Sequence, residues 1–375
     1  MISIFSVLIT SFGISIPLVL FLNADSQSTL IKLLLVLCVI SVLLIKSPLR
    51  NILASYQKHL DDKRLLAVYL IVALIISMYF YQTPFVLLMM CNVLLYSIVC
   101  LGLTVQFGFT GIINFAAAAF FGIGGYSTVL LTQLHIPSLL VIPLAGCISM
   151  IFGSVLIIPV LKTRGHYAAL ITIAAGILFK SFLEVNDTLG GPQGLQVPSI
   201  SLFGFDFNNP ITVRDTSFSF YLPYILLCTL IFIVLYFVTN RIEKSWFGLT
   251  LDVVRTDETA ASTFGISIRK WKISAFLIGN FFIGVAGSVN SSVTGFIAPN
   301  NFTFSDSLLM ISIIILGGIG NIKSILPATL IMIMIPEKLQ FIQEYRFLIY
   351  ALLIISILLF RPNGLFPRGI RNFSK

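Results

Sequence analysis

Apolar runs of about twenty residues recur along most of this chain, and its charges are confined to the short segments between them. Residues 220 to 239, FYLPYILLCTLIFIVLYFVT, are typical of these runs. Inside a bilayer every backbone N–H and C=O must be paired within the protein, which leaves helices and closed barrels as the spanning structures. Runs of this length fit helices, since at 1.5 Å per residue about twenty residues cross the hydrocarbon. The expectation is an all-α polytopic membrane protein with about ten transmembrane helices, between about nine and about twelve at the limits, some of them short and broken. Only 10% of residues are charged, against about a quarter in soluble domains. No separate soluble domain fits.

The net charge of +9 invites a nucleic-acid reading, but its placement argues otherwise. Of 23 Lys and Arg, 18 fall in five places: 46–64, 162–164, 240–272, Lys323 and the tail after Phe360. The other large hydrophilic loop, 184–219, carries four acids and only Arg214. This is the asymmetry of the positive-inside rule. The basicity is topological, no nucleic-acid partner is implied, and the basic segments lie in the cytoplasm. The N-terminus lacks the basic start of a cleaved signal and reads as a first span, 2–22. The alternation of charge predicts further spans near 30–45, 65–81, 85–106, 112–133, 138–161, 166–183, 220–239, 273–293 and 305–322. Stretch 325–336 is short for a crossing, and run 346–360 leads into the tail. The chain divides into N-terminal spans with a basic cytoplasmic loop 46–64 (residues 1–83), a main body 84–367, and a basic cytoplasmic tail 368–375.

Catalytic chemistry is hard to find. His59, His135 and His166 have no metal-ligand partner at useful spacing, and neither a G-x-S-x-G elbow nor an H-E-x-x-H pair occurs. The chain reads as no enzyme, with no metal and no cofactor. Cys38, Cys91, Cys100, Cys147 and Cys228 lie in apolar runs and read as small packing residues. GGIGNIKS at 317–324 resembles a phosphate loop, but Ile322 stands where G-x-x-x-x-G-K-[ST] requires Gly.

Charge deep in the spans is scarce. Lys180 and Glu184 stand at i,i+4 spacing near a span end, Lys32 can snorkel, and Asp306 opens a span where a helix N-terminus favours a carboxylate. Proton-coupled carriers commonly keep ionisable relays at mid-membrane. Polar but uncharged groups here suit a neutral or zwitterionic solute moved by an external energy source. Residues 101–126, LGLTVQFGFTGIINFAAAAFFGIGGY, are rich in Gly and Ala. They fit either tight helix packing or a broken helix lining a cavity, with Gln106, Thr110 and Asn114 as polar lining. Asn290, Ser291 and Ser292 are the other translocation-path candidates, with Thr294 beside them. A second glycine cluster, LGGPQGL at 189–195, is turn chemistry at an outer span end.

The loop 240–272, NRIEKSWFGLTLDVVRTDETAASTFGISIRKWK, is charged, helix-forming and held on the basic side, as docking to a cytoplasmic protein requires. Its core, Asp257-Glu258-x-Ala260-Ala261-x-x-x-Gly265-Ile266, resembles the coupling loop of ABC-importer permeases. Further segments match in order over about 280 positions, from near 85 to 367. They are GLTVQFGFTGIINFAAAAFFGIGGYS, RGHYAALITIAAGILFKSF, LGGPQGL, SWFGLTLDVVRTDETAASTFGI, GFIAPNNFTFSDSLLMISIIILGGIGN and RPNGLF. Together they resemble the LivM-type permeases of the branched-chain amino acid ABC importers. Where many ABC permeases carry a Glu-Ala-Ala triplet, this chain has Thr259-Ala260-Ala261 with Glu258 before it.

The resemblance implies the ABC-importer permease fold in a bacterial cytoplasmic (inner) membrane. It also implies a homologous second permease, two cytoplasmic ATPase subunits on separate chains and a periplasmic solute-binding protein. Arg255, Asp257, Glu258, Ala260, Ala261 and Gly265 would serve ATPase coupling, and Gly190, Gly191 and Gln193 would lie where the binding protein docks. The implied cargo is a branched-chain or other neutral amino acid. The alternatives are a urea or short-amide importer of the same architecture and, from another class, a stand-alone ion-coupled carrier.

Overall fold

The computed structural model describes residues 2–24, 26–33, 36, 62–163, 166–202, 205–209, 211–213, 216–339, 345, 348, 350–352, 355, 359, 364–366 and 368. The basic stretch 46–61, most of run 346–360 and the tail beyond Arg368 lie outside them, as do Cys38 and His59. The helices, labelled here in chain order, are α1 (Ile2–Asn23), α2 (Asp62–Tyr79), α3 (Pro84–Leu103), α4 (Ala117–Gln133), α5 (Ser138–Lys162) and α6 (His166–Val185). After a loop come α7 (Tyr221–Lys244), α8 (Trp246–Thr256), α9 (Glu258–Thr263), α10 (Ile268–Thr294), α11 (Phe304–Gly317) and α12 (Ile325–Lys338).

Among the described residues, six helical stretches are long and apolar enough to cross a membrane: Pro84–Gly108, Ser138–Lys162, Tyr167–Val185, Tyr221–Lys244, Ile268–Thr294 and Pro299–Gly317. Helices α1, α2, α4 and α12 add shorter or flanking apolar elements of 14 to 22 residues. Local chemistry sets several ends. Pro84 opens α3, where its missing N–H costs nothing, and Arg241 and Lys244 close α7 beside its negative dipole end. Thr303 and Asp306 form a capping box at the start of α11. Two expected spans are shorter than the apolar pattern implied. The one over 112–133 begins only at Ala117, because Gly111 (φ 75°) turns the chain and residues 111–116 are non-helical. The one over 305–322 ends at Gly317, where Gly318 takes φ 113°.

Helix α10 is the axis of the bundle, packed against α5, α4 and α3. Glycines permit these approaches. A β-carbon on Gly102 of α3 would lie 2.5 Å from the Gly279 carbonyl oxygen of α10. One on Gly124 of α4 would lie 2.1 Å from the Gly284 carbonyl oxygen. Helices in lipid gain little from burying apolar surface against each other, so backbone proximity of this kind supplies the packing energy. Helix α6 sits at the periphery, with Leu170, Ile177, Leu178 and Phe182 exposed. On it Lys180 and Glu184 pair at 3.5 Å, both partly exposed.

On the acidic side, the loop between α6 and α7 folds into short antiparallel pairs. Strand β1 (Leu195–Gln196) pairs with β6 (Phe296–Ile297), β2 (Ser201–Leu202) with β3 (Phe205–Asp206), and β4 (Ile211–Val213) with β5 (Thr216–Phe218). The β1–β6 pair joins this loop to the turn that follows α10.

Candidate functional site

Two regions carry the predicted site residues, one at the basic end of the bundle and one in its centre. At the basic end, the chain leaves α7 at Ser245, whose hydroxyl caps α8 by accepting from the Gly248 N–H at 3.5 Å. A β-carbon at Gly248 would lie 2.3 Å from the Ile242 carbonyl oxygen, so the α7–α8 corner closes only around glycine. Helix α8 runs to Thr256. Asp257 then caps α9, its Oδ1 accepting from the Thr259 and Ala260 N–H groups at 2.8 and 3.1 Å. Gly265 (φ 76°) turns the chain out of α9, with the Ile266 N–H donating to the Ala261 carbonyl at 3.1 Å.

Of the predicted coupling residues, Ala261 is buried, Ala260 half-buried, and Arg255, Asp257, Glu258 and Gly265 are exposed. Glu258 pairs with Lys272 of α10 at 2.5 Å. The two largest apolar groups turned outward in this segment are Trp246 and Phe264, 71% and 81% exposed. Sequence reasoning passed over both. Their signal was an aromatic side chain inside a polar, charged segment. Trp271 of α10 braces the corner, its ring 4.8 Å from Phe247 and 5.7 Å from Trp246.

Helix α8 buries Leu251 and Val254, and two charged side chains, Asp252 and Arg255, flank them. Asp252 accepts from Arg368 at 2.9 Å, and burial nevertheless holds its carboxyl above the ordinary range. Arg255 donates to the Gly108 carbonyl; although the residue is exposed as a whole, partial desolvation of its guanidinium, with nearby Arg368, lowers its pKa. From the sequence Arg368 reads only as tail charge.

In the centre, α3 ends in a π-turn, Thr104–Gly108, followed by the break at 111–116. Such turns widen the helix and free backbone groups for other partners. Gln106, fully buried, donates from Nε2 to the Phe276 carbonyl and to Asn280 Oδ1, both at 2.9 Å. Asn114 donates to Gln106 Oε1 at 2.9 Å and to Asn280 Oδ1 at 3.2 Å, and its own Oδ1 accepts from the Ala116 N–H at 3.0 Å. The Thr110 hydroxyl donates to the Gln106 carbonyl at 2.5 Å. Three amides from three elements thus close on one another across the broken helix, and Asn280 is a member that the sequence reading missed. Its Nδ2 is buried without a partner among the described groups. It points at Gly153, where a β-carbon would lie 2.3 Å away.

The remaining path candidates lie elsewhere. Asn290, Ser291 and Ser292 are ten or more residues further along α10 from Asn280, about 15 Å at helical rise. Ser291 and Ser292 bond the Ser288 carbonyl of their own helix. Ser288 receives the Thr128 hydroxyl at 2.7 Å, and Thr128, Thr132, Ser138, Ser199 and Ser292 line a small crevice on the acidic side. Gly190 and Gly191 take φ 82° and 48° in the outer turn, with Gly191 buried and Gln193 exposed. That turn is fastened to β6 at Gly194, where a β-carbon would lie 2.2 Å from the Ile297 carbonyl oxygen.

Comparison with known proteins identifies the family. Residues 85–358 match the family described as branched-chain amino acid transport system / permease component. The chain is 32% identical to the high-affinity branched-chain amino acid transport system permease protein LivM of Escherichia coli K12, over 73% of this chain and 68% of that one. It is 26% identical to a probable branched-chain amino acid transport permease protein LivM of Methanocaldococcus jannaschii, over 73% and 90%. Against the permease protein LivH of E. coli K12 it is 25% identical over 73% and 91%. No solved structure matches. The matched region holds α8, α9, the π-turn, the amide cluster and the β1–β6 pair, and this chain belongs to the branched-chain amino acid transport permease family.

Proposed function

We propose that this chain is one permease subunit of an ATP-driven ABC importer for branched-chain or other neutral amino acids. The observation that carries the reading is the capped, outward-facing α8–α9 segment on the basic side, which bonds directly to the π-turn of the central helix. A segment that offers Trp246 and Phe264 outward and reaches the core inward is built to receive a push from a cytoplasmic partner. Two ATPase chains are the partners expected there. E. coli has two differently named permeases to which this chain is similar, which supports a paired second permease. Helix α6, only 11% buried over its apolar window, leaves a face for that partner and for lipid. The β1–β6 clasp unites the two outer elements where a periplasmic binding protein would dock, the glycine turn and the turn after α10.

In the mechanism, the loaded binding protein docks on the clasp, ATP closes the ATPases, and α8–α9 moves with them. The cluster of Gln106, Asn114 and Asn280 opens and the path changes sides. Uncharged amides suit a zwitterionic solute. Among the described residues, the ion pair on α6 is peripheral, which counts against a proton-coupled carrier. The relatives are described as branched-chain amino acid permeases, so the amide branch is disfavoured. The test is uptake of labelled leucine, alanine, glutamine and urea by cells with and without the gene. Loss of amino acid uptake is expected, and loss of urea uptake alone would move the chain to the amide importers.

A further inference from the structure

Three stretches far apart in sequence meet beneath α8. The first is α8 itself, the second is the end of the π-turn at Gly108, and the third is residues 364–366 with Arg368. The run is fastened to the end of α11 by backbone bonds, Leu365 N–H to the Leu316 carbonyl at 2.9 Å and Phe366 N–H to the Gly317 carbonyl at 3.2 Å. Asn321 adds a bond from Nδ2 to the Phe366 carbonyl at 2.9 Å. Gly364 (φ 80°) lies so close to Gly318 that a β-carbon would come within 2.4 Å of its Cα. Arg368 is thereby held in place, and its side chain is only 18% exposed.

Its guanidinium joins two carboxylates on different helices, Nε to Glu243 of α7 at 3.3 Å and the terminal N–H to Asp252 of α8 at 2.9 Å. The guanidinium carbon sits 4.9 Å from the centre of the Phe109 ring, which follows the π-turn directly. One turn along α8 from Asp252, Arg255 donates to the Gly108 carbonyl. Gly108 and Gly320 touch at the same place. A β-carbon on Gly108 would lie 2.8 Å from the Gly320 Cα, and one on Gly320 would lie 3.2 Å from Arg368 Cδ. Gln106, two residues before Gly108, belongs to the buried amide cluster.

Surface ion pairs contribute little, but a half-buried guanidinium shared by two carboxylates and an aromatic face holds its geometry, because breaking one contact strands a desolvated charge. We propose that Arg368, together with Arg255, links α8 to the π-turn, so that displacement of the coupling segment is transmitted to the Gln106–Asn114–Asn280 cluster. Arg368 is then a positioning residue for the coupling of ATP hydrolysis to solute movement. This rests on the ATP-driven reading above.

The test uses the complete transporter in proteoliposomes, with partner permease, ATPases and binding protein, comparing the native chain with Arg368→Gln and Arg368→Lys. Hydrolysis and import are measured together. For Arg368→Gln, import per ATP hydrolysed is expected to fall about tenfold with basal hydrolysis unchanged, and Arg368→Lys, which keeps the charge but not the fork that spans two carboxylates, should recover only part of it. Hydrogen exchange over residues 104–116 supplies a second readout. Binding of a non-hydrolysable ATP analogue should change it in the native chain and not in Arg368→Gln. If import and hydrolysis fall together in proportion to assembled complex, Arg368 is a staple and the linkage is wrong. A native ratio and native exchange response in Arg368→Gln would overturn it equally. Absence of ATP-dependent import by the native complex would refute the functional reading itself, and the linkage with it.

Discussion

Gly124 and Gly284 face each other across α4 and α10 at a distance that leaves no room for a methyl group. Gly124→Val should therefore overpack the bundle, at a cost of ~1–3 kcal/mol. Gly295→Ala is the contrasting case: its surroundings are open and only its φ of 67° resists a side chain, for about 1 kcal/mol. Thermal unfolding of the purified protein in detergent should show a clearly lower midpoint for Gly124→Val than for Gly295→Ala, and equal midpoints would contradict the packing account. Gly265 tests coupling. Nothing lies within 4 Å of a β-carbon there, so Gly265→Trp clashes with no part of the bundle; its φ of 76° strains the turn locally, for about 1 kcal/mol, and the indole adds bulk beside Phe264 on the outward corner. Membrane insertion should be normal and substrate-stimulated ATP hydrolysis reduced several-fold. Normal stimulation in this variant would remove the corner from the coupling surface.

At the scale of elements, α9 is only six residues long and cannot rely on helical cooperativity. Its Asp257 cap accepts two N–H bonds, so Asp257→Ala should cost ~1 kcal/mol and raise hydrogen exchange locally over 258–264 without touching α10. Unchanged exchange would mean that packing on α10, and not the cap, holds α9. On the opposite side, Gly194→Val would push against the Ile297 carbonyl and open the β1–β6 clasp. Stimulation of ATP hydrolysis by the binding protein should fall while basal hydrolysis persists, and undiminished stimulation would place docking elsewhere. The cap on α11 was legible in Asp306, but the glycine and alanine content of 101–126 fits packing and a broken helix alike, and the span expected from 112 runs through the break at 111–116. The amide cluster was only half legible. Gln106 and Asn114 lie in one stretch, but Asn280 reaches them through a helix crossing that sequence spacing does not encode. Arg368 was hidden for a related reason. A basic residue near a membrane edge satisfies the charge rule whether solvated or folded against two acids, and only the backbone bonds of 365 and 366 to α11 decide between the two.

For the whole molecule, hydropathy located the six membrane-capable stretches among the described residues but could not order them. Pro84–Gly108 and Ser138–Lys162 share a mean hydropathy of 2.4, yet 83% of one window is buried and 39% of the other. Lipid is as apolar as a protein interior, so the centre of a membrane bundle is marked by small residues and polar clusters and not by hydrophobicity. Helix α10 illustrates this, with a mean hydropathy of 1.5, glycines at its crossings and the buried Asn280. The architecture that results has an outer clasp, a central broken helix closed by amides, and an inner segment bonded to that break. Each part is accounted for if energy arrives from the basic side and solute from the acidic side. The most direct measurement is leucine accumulation in proteoliposomes of the complete transporter, with ATP inside, binding protein outside and no ion gradient. The account predicts uptake that requires hydrolysable ATP and persists with a protonophore present. Uptake by this chain alone, following an imposed ion gradient without ATP, would contradict it.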